Sequence, residues 1–154
     1  TRFLAPYLRN TLWERGYALD TLETAMPWSA VLSAAATIKA VVHSGLAGVG
    51  ERVLVFAHLS HVYADGASIY VTYLYRRAAD PDVTLRRWQR LKSAASQVVV
   101  AHGGTISHQH GVGVDHAPYL AAEKGEVGIK LLKSAQQALD PAGLLNPGKL
   151  IADV

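Results

Sequence analysis

The chain has 154 residues, enough for one domain with a sizeable core. Its formal charge of +3 is spread without a basic cluster, which argues against nucleic acid as a partner, and the lack of cysteine excludes disulfides, thiol catalysis and cysteine metal sites. Half of the residues are hydrophobic and 18% are charged, below the usual figure of about a quarter, which points to apolar surface made for a neighbouring domain.

Thr1 to Arg15 reads as a connection ending in a short strand or helix, and nothing in it resembles a signal peptide. Ala18 to Thr24 alternates loosely and predicts a strand. Pro27 suits a first helical turn, and Trp28, Val31, Leu32, Ala35, Ile38 and Val42 then recur at helical spacing. Gly45, Gly48 and Gly50 are expected to end that helix. The apolar run from Met26 to Val42 is broken by Lys39 and is short for a bilayer. Arg52 to His58 predicts a second strand, Ser60 to Gly66 a turn-like loop, and Ala67 to Tyr75 a third strand, the last two strands forming a hairpin. Trp88, Leu91, Ala95 and Val98 mark a second amphipathic helix; a short helix near Ala117 to Glu123 and a longer one from about Glu126 to Leu139 follow. The order β-α-β-β-α predicts an α+β fold: an antiparallel sheet covered by helices on one face, a ferredoxin-like core with a C-terminal helical extension. There is no internal repeat, no strand-GxGxxG-helix unit and no P-loop.

Between the second amphipathic helix and the short one lies Ala101-His102-Gly103-Gly104-Thr105-Ile106-Ser107-His108-Gln109-His110-Gly111-Val112-Gly113. Glycine permits positive φ and close approach of backbone to a ligand, and imidazole carries protons near neutral pH. His108 and His110 are two apart, so an extended segment would point both rings to one side. A loop of this kind on a rigid scaffold is a common form of reactive site, although the same spacing also suits a plain glycine-rich turn. A second stretch, Asp140-Pro141-Ala142-Gly143-Leu144-Leu145-Asn146-Pro147-Gly148-Lys149, follows the last helix.

Together these two stretches resemble the C-terminal part of FAD-linked oxidases of the vanillyl-alcohol-oxidase type. The Ser-His-x-His-Gly-Val-Gly form is most similar to the alkyldihydroxyacetonephosphate synthase branch. The resemblance implies that residues 1–154 form a C-terminal substrate-binding cap whose partner is an upstream FAD-binding domain. It implies FAD as cofactor, bound mainly by that upstream domain, with Gly111, Gly113 and Asn146 the contributions from this chain. It implies a lipid-like phosphate or other small-molecule substrate, an enzyme that exchanges an acyl chain for a fatty alcohol on a flavin adduct, and allows a homodimer. The isolated chain is expected to be inactive, and the complete enzyme to be cytoplasmic or membrane-peripheral.

Residue by residue, Arg9 in Pro6-Tyr7-Leu8-Arg9-Asn10 matches an active-site arginine, and a guanidinium suits a phosphate or carboxylate through paired hydrogen bonds. Tyr70 in Gly66-Ala67-Ser68-Ile69-Tyr70 matches an acid-base tyrosine, against the commoner fate of packing under a helix. His108 and His110 match the first and third members of a three-histidine run, with Gln109 replacing the middle one. Val55-Phe56-Ala57-His58-Leu59 also resembles the metal-binding strand of the family's D-2-hydroxy-acid dehydrogenases, whose further ligands would fall on Tyr70 and Gln109. A phenol and an amide are poor replacements for an imidazole and a carboxylate, so a metal-free site is expected. The remaining histidines, His43, His61, His102 and His116, read as structural or solvated. An FAD-linked oxidase or dehydrogenase of a hydroxylated substrate such as a 2-hydroxy acid, and a non-catalytic binding module, are the alternatives.

Overall fold

The computed structural model describes residues 5–151. The N-terminal segment is helical: α1 spans Ala5–Glu14. Strand β1 (Tyr17–Pro27) leads into α2 (Trp28–Ser44), and β2 (Val53–Val62) and β3 (Gly66–Arg76) form the hairpin. Helix α3 spans Pro81–Ala101 and α4 spans Leu120–Leu139. The short and the longer C-terminal helices are the two halves of α4, divided at Gly125, whose φ of 68° and ψ of 170° are not helical.

The three strands form one antiparallel sheet in the order β1-β3-β2. Side chains alternate between faces along each strand, and the alternation sorts the sheet cleanly. Ala18, Leu22 and Met26 of β1 and Ile69, Val71, Tyr73 and Tyr75 of β3 are buried on one face. Helices α2 and α3 cover it with Val31, Ala34, Ile38 and Val42 and with Leu91, Ala95 and Val99. The helices meet closely at Gly45, where an added Cβ would stand 2.5 Å from Leu91. Gly45 therefore serves packing as well as termination of α2. The predicted architecture, helices on one face of an antiparallel sheet, is the one observed.

The other face carries Glu23, Ser68, Tyr70, His58 and Ser60, with Glu23, Tyr70 and His58 aligned across all three strands. That row grades from buried Glu23 through half-buried Tyr70 to exposed His58. Toward its far end Leu54 and Phe56 are exposed.

The segment predicted as a loop from Ser60 is strand as far as Val62. Leu59 pairs with Ile69 and Val62 with Ala67, so Ser60 and His61 together oppose Ser68 alone. This is a β-bulge, in which the extra residue re-aims a side chain. Without it His61 would alternate onto the helix-covered face. With it, His61 joins Ser60 on the open face.

Candidate active site

Glu23 sits in the middle of β1 and is buried to 5% exposure. A buried carboxylate needs hydrogen-bonding partners, and this one is surrounded by them. Ser60 Oγ donates to Oε1. His108 Nδ1 lies 3.1 Å and His61 Nδ1 3.4 Å from Oε1, while His110 Nε2 lies 3.2 Å from Oε2. Ser68 Oγ, 2.6 Å from Ser60 Oγ and 3.2 Å from His61 Nδ1, closes the cluster from β3. Burial pushes the Glu23 carboxyl upward. The hydrogen bonds from Ser60 and His108, the charge of His108 and the Ser68 hydroxyl outweigh it and hold the group below its ordinary value.

The histidine loop reaches this carboxylate because it is bound along β1. Thr105 N–H donates to the Ala25 carbonyl and His108 N–H to the Glu23 carbonyl. Thr24 Oγ1 donates to the Thr105 carbonyl at 2.7 Å. Gly104 allows the approach: a Cβ there would stand 2.6 Å from Thr24 Oγ1 and 2.7 Å from Met26 Cε. From the far side Glu123 accepts from Ile106 N–H at 2.8 Å and from Thr105 Oγ1 at 3.0 Å. The loop is thus clamped between a strand and α4.

His108 and His110 do converge, one on each oxygen of the same carboxylate. The segment between them is not extended, however. Gln109 has a φ of 61° and is exposed. The turn at Gln109, not strand alternation, brings the two rings to one target. The other ring nitrogen of His108, Nε2, lies 2.9 Å from the Tyr63 hydroxyl. A chain of hydrogen bonds therefore runs from buried Glu23 through His108 to the exposed Tyr63. Tyr70 packs edge-on against the His110 ring, with centroids 5.8 Å apart, and stacks on His58 at 5.2 Å. Tyr70, His108 and His110 thus share one site. His58 contributes a ring contact and is not among the grouped ligand atoms of the described residues, and Gln109 is exposed.

Arg9 is exposed on α1, and among the described residues no hydrogen bond or ion pair joins it to the cluster. Gly111 and Gly113 have φ values of 71° and 60°, with nothing within 4 Å of an added Cβ. This exposed stretch leaves the backbone open to close approach by a ligand. Asn146 is exposed, with a φ of 48°. The tail that carries it returns to the loop, where Leu150 N–H donates to the Gly113 carbonyl at 3.2 Å.

Three residues escaped the reading of the sequence: Glu23, His61 and Tyr63. Glu23 gave no sharp signal, because β1 also carries Asp20, Thr21 and Thr24 and a carboxylate there does not stand out. His61 was assigned a structural or solvated role because nothing local announces the bulge. The ligand atoms of Glu23, His61 and His108 all lie within 4.8 Å of one another.

Residues 1–150 match the family described as FAD linked oxidases, C-terminal domain. Alkyldihydroxyacetonephosphate synthase of Caenorhabditis elegans is 34% identical over 151 residues, covering 97% of this chain and 25% of the relative. D-2-hydroxyglutarate dehydrogenase of Stutzerimonas stutzeri (strain A1501) is 26% identical over 145 residues, covering 93% of this chain and 31% of the relative. Among solved structures, an alkyldihydroxyacetonephosphate synthase superposes with a TM-score of 0.67 at 19% identity, covering 96% of this chain and 23% of that one. That last likeness bears on the fold. The chain spans between a quarter and a third of the length of these curated relatives.

Proposed function

The chain belongs to the family of C-terminal domains of FAD-linked oxidases, and from that premise we propose that it is the substrate-binding, proton-handling cap of a flavoenzyme of the alkyldihydroxyacetonephosphate synthase kind. The reaction is exchange of an acyl chain for a fatty alcohol on a phosphate-bearing substrate. FAD, a cofactor of the family, would supply an electron-accepting ring when bound; an upstream domain would hold most of it, with Gly111, Gly113 and Asn146 as this chain's contribution.

The observation that carries this reading is the buried Glu23 carboxylate with His108 on one oxygen and His110 on the other, beside Tyr70 on the open face of the sheet. A buried carboxylate fixes the orientation of the imidazoles that meet it, as a proton-transfer site requires. In this arrangement Tyr70 and His110 take and return the substrate's proton. His108 passes charge between Glu23 and Tyr63, whose exposure opens a route to solvent. Glu23 is a positioning residue here, since it works through the histidines. Arg9 is assigned the anionic group of the substrate, for which its planar fork is suited. The chemistry needs no metal ion.

The similarity to a D-2-hydroxyglutarate dehydrogenase raises the second reading, oxidation of a 2-hydroxy acid. The stacked His58 and Tyr70 rings and the exposed Gln109 argue against it, because a metal that orients such a substrate would need ligands at those positions. The test is to supply the complete enzyme with an acyl-dihydroxyacetone phosphate and a labelled fatty alcohol. Exchange gives labelled ether product and one free fatty acid, with no electron acceptor consumed. Turnover that requires an acceptor, with no label incorporated, would select the dehydrogenase reading.

A further inference from the structure

The Glu23 cluster has more donors than a proton path needs. His61 is not in line between His110, Tyr70 and Tyr63, yet a β-bulge delivers its Nδ1 to the same carboxylate oxygen that His108 meets. We infer that Glu23, His61 and His108 form a binding site for a divalent transition-metal ion. The inference goes beyond the exchange reading and rests on the cluster's geometry alone.

The spacing suits an ion. With zinc bonds of about 2.0–2.1 Å to nitrogen or oxygen, two ligand atoms of a tetrahedral site stand about 3.3–3.4 Å apart. Glu23 Oε1 stands 3.1 Å from His108 Nδ1 and 3.4 Å from His61 Nδ1. The donor set, two imidazoles and one carboxylate, is that of zinc and its first-row neighbours; magnesium and calcium prefer oxygen alone. The surroundings supply the outer support such sites use. Tyr63 Oη meets His108 Nε2 at 2.9 Å, which leaves the Nδ1 lone pair to face the centre when Nε2 carries the proton. Ser60 donates to the Glu23 carboxylate and is itself joined to Ser68, which fixes the carboxylate in place. The His61 side chain is 41% exposed, so an ion has an entry path and an open fourth position, with His110 within reach.

This site differs from the set expected on His58, Tyr70 and Gln109. Its three ligands come from β1, the β2 bulge and the loop. An ion there occupies His108 Nδ1 and removes that ring from proton traffic, so metal occupancy and exchange compete. The cluster is then a place where zinc suppresses turnover instead of supporting it.

The experiment titrates zinc into the 154-residue chain after chelator treatment, by calorimetry, with circular dichroism as the check on folding. Cobalt substitution reads geometry through its visible absorption. One equivalent of zinc per chain is expected, with intense four-coordinate cobalt bands. His61→Ala, an exposed change that spares the core, should weaken zinc at least tenfold, and His108→Ala should do the same. His58→Ala should bind zinc as the unaltered chain does. A folded chain with no stoichiometric binding, or unchanged affinity in His61→Ala, overturns the site. So does loss of binding in His58→Ala, which would put the ion on the other ligand set. Because no flavin or substrate is present, failure here leaves the exchange reading standing, and failure of exchange leaves this site standing.

Discussion

Glu23 and His61 belong to the two outer strands of the sheet, with all of β3 between them, yet His61 Nδ1 comes within 3.4 Å of the Glu23 carboxylate. The reach is made by the bulge opposite Ser68, which turns His61 onto the open face and donates its own backbone N–H to Ser68 Oγ at 2.8 Å. A buried anion held by three imidazoles and two hydroxyls is expensive to leave unpartnered, so each neighbour depends on the charge at Glu23.

Glu23→Gln tests that dependence. The amide keeps the shape of the side chain but offers an N–H₂ group where a histidine N–H donates. A buried donor left facing a donor costs roughly 1–3 kcal/mol. Urea unfolding of the variant should show a loss of that order, and the complete enzyme should lose turnover through misplaced histidines. Unchanged stability would mean that the cluster is not held by the carboxylate.

Glu123 gives a pH-dependent prediction. Burial pushes its carboxyl up, but the Lys124 ammonium and the hydrogen bonds from Ile106 and Thr105 outweigh that and hold it below its ordinary 4.5. A carboxyl with a depressed folded pKa contributes stability above its unfolded value and loses it as pH falls through the folded one. The difference in urea midpoint between the unaltered chain and Glu123→Gln should therefore be present at neutral pH and shrink below pH about 4.5. A difference that stays constant down to strongly acid pH would show that the clamp on the histidine loop does not depend on this charge.

The chain alone should bind FAD weakly or not at all. The contribution proposed for it is exposed backbone at Gly111 and Gly113, and its sequence has no strand-GxGxxG-helix unit. Flavin fluorescence, followed while FAD is titrated against the purified chain, measures this. Tight saturable binding would mean that the main cofactor contacts lie within these residues.

The sheet, its covered face and the helices were legible because they follow from periodicity: Val31, Ile38 and Val42 repeat at helical spacing and Ile69, Val71 and Tyr73 at strand spacing. The histidine loop was legible from its glycines and imidazoles. The hub of the site was not, because its contacts join residues far apart in sequence, 85 positions between Glu23 and His108 and 37 between Glu23 and Ser60. His61 was hidden for a sharper reason. Strict alternation assigns it to the helix side of the sheet, and only the irregular pairing between Leu59 and Val62 reverses that assignment. The convergence of His108 and His110 was anticipated, but through an extended segment; the positive φ of Gln109 does the work. For Arg9, local match was all that could be read, and its place on α1 adds no hydrogen bond or ion pair with the cluster among the described residues.

The central claim is that Tyr70 and His110 handle the substrate's proton at a site organised by Glu23. The direct measurement is exchange by the complete enzyme, comparing Tyr70→Phe and His110→Ala with the unaltered protein at equal flavin content. Removing a positioned acid-base group typically lowers turnover by about 10²–10⁴-fold. Each variant should show a loss in that range, in kcat more than in KM, with fold and flavin intact. Near-normal exchange in both variants would contradict the account and return Tyr70 on the sheet and His110 on the loop to the role of packed side chains.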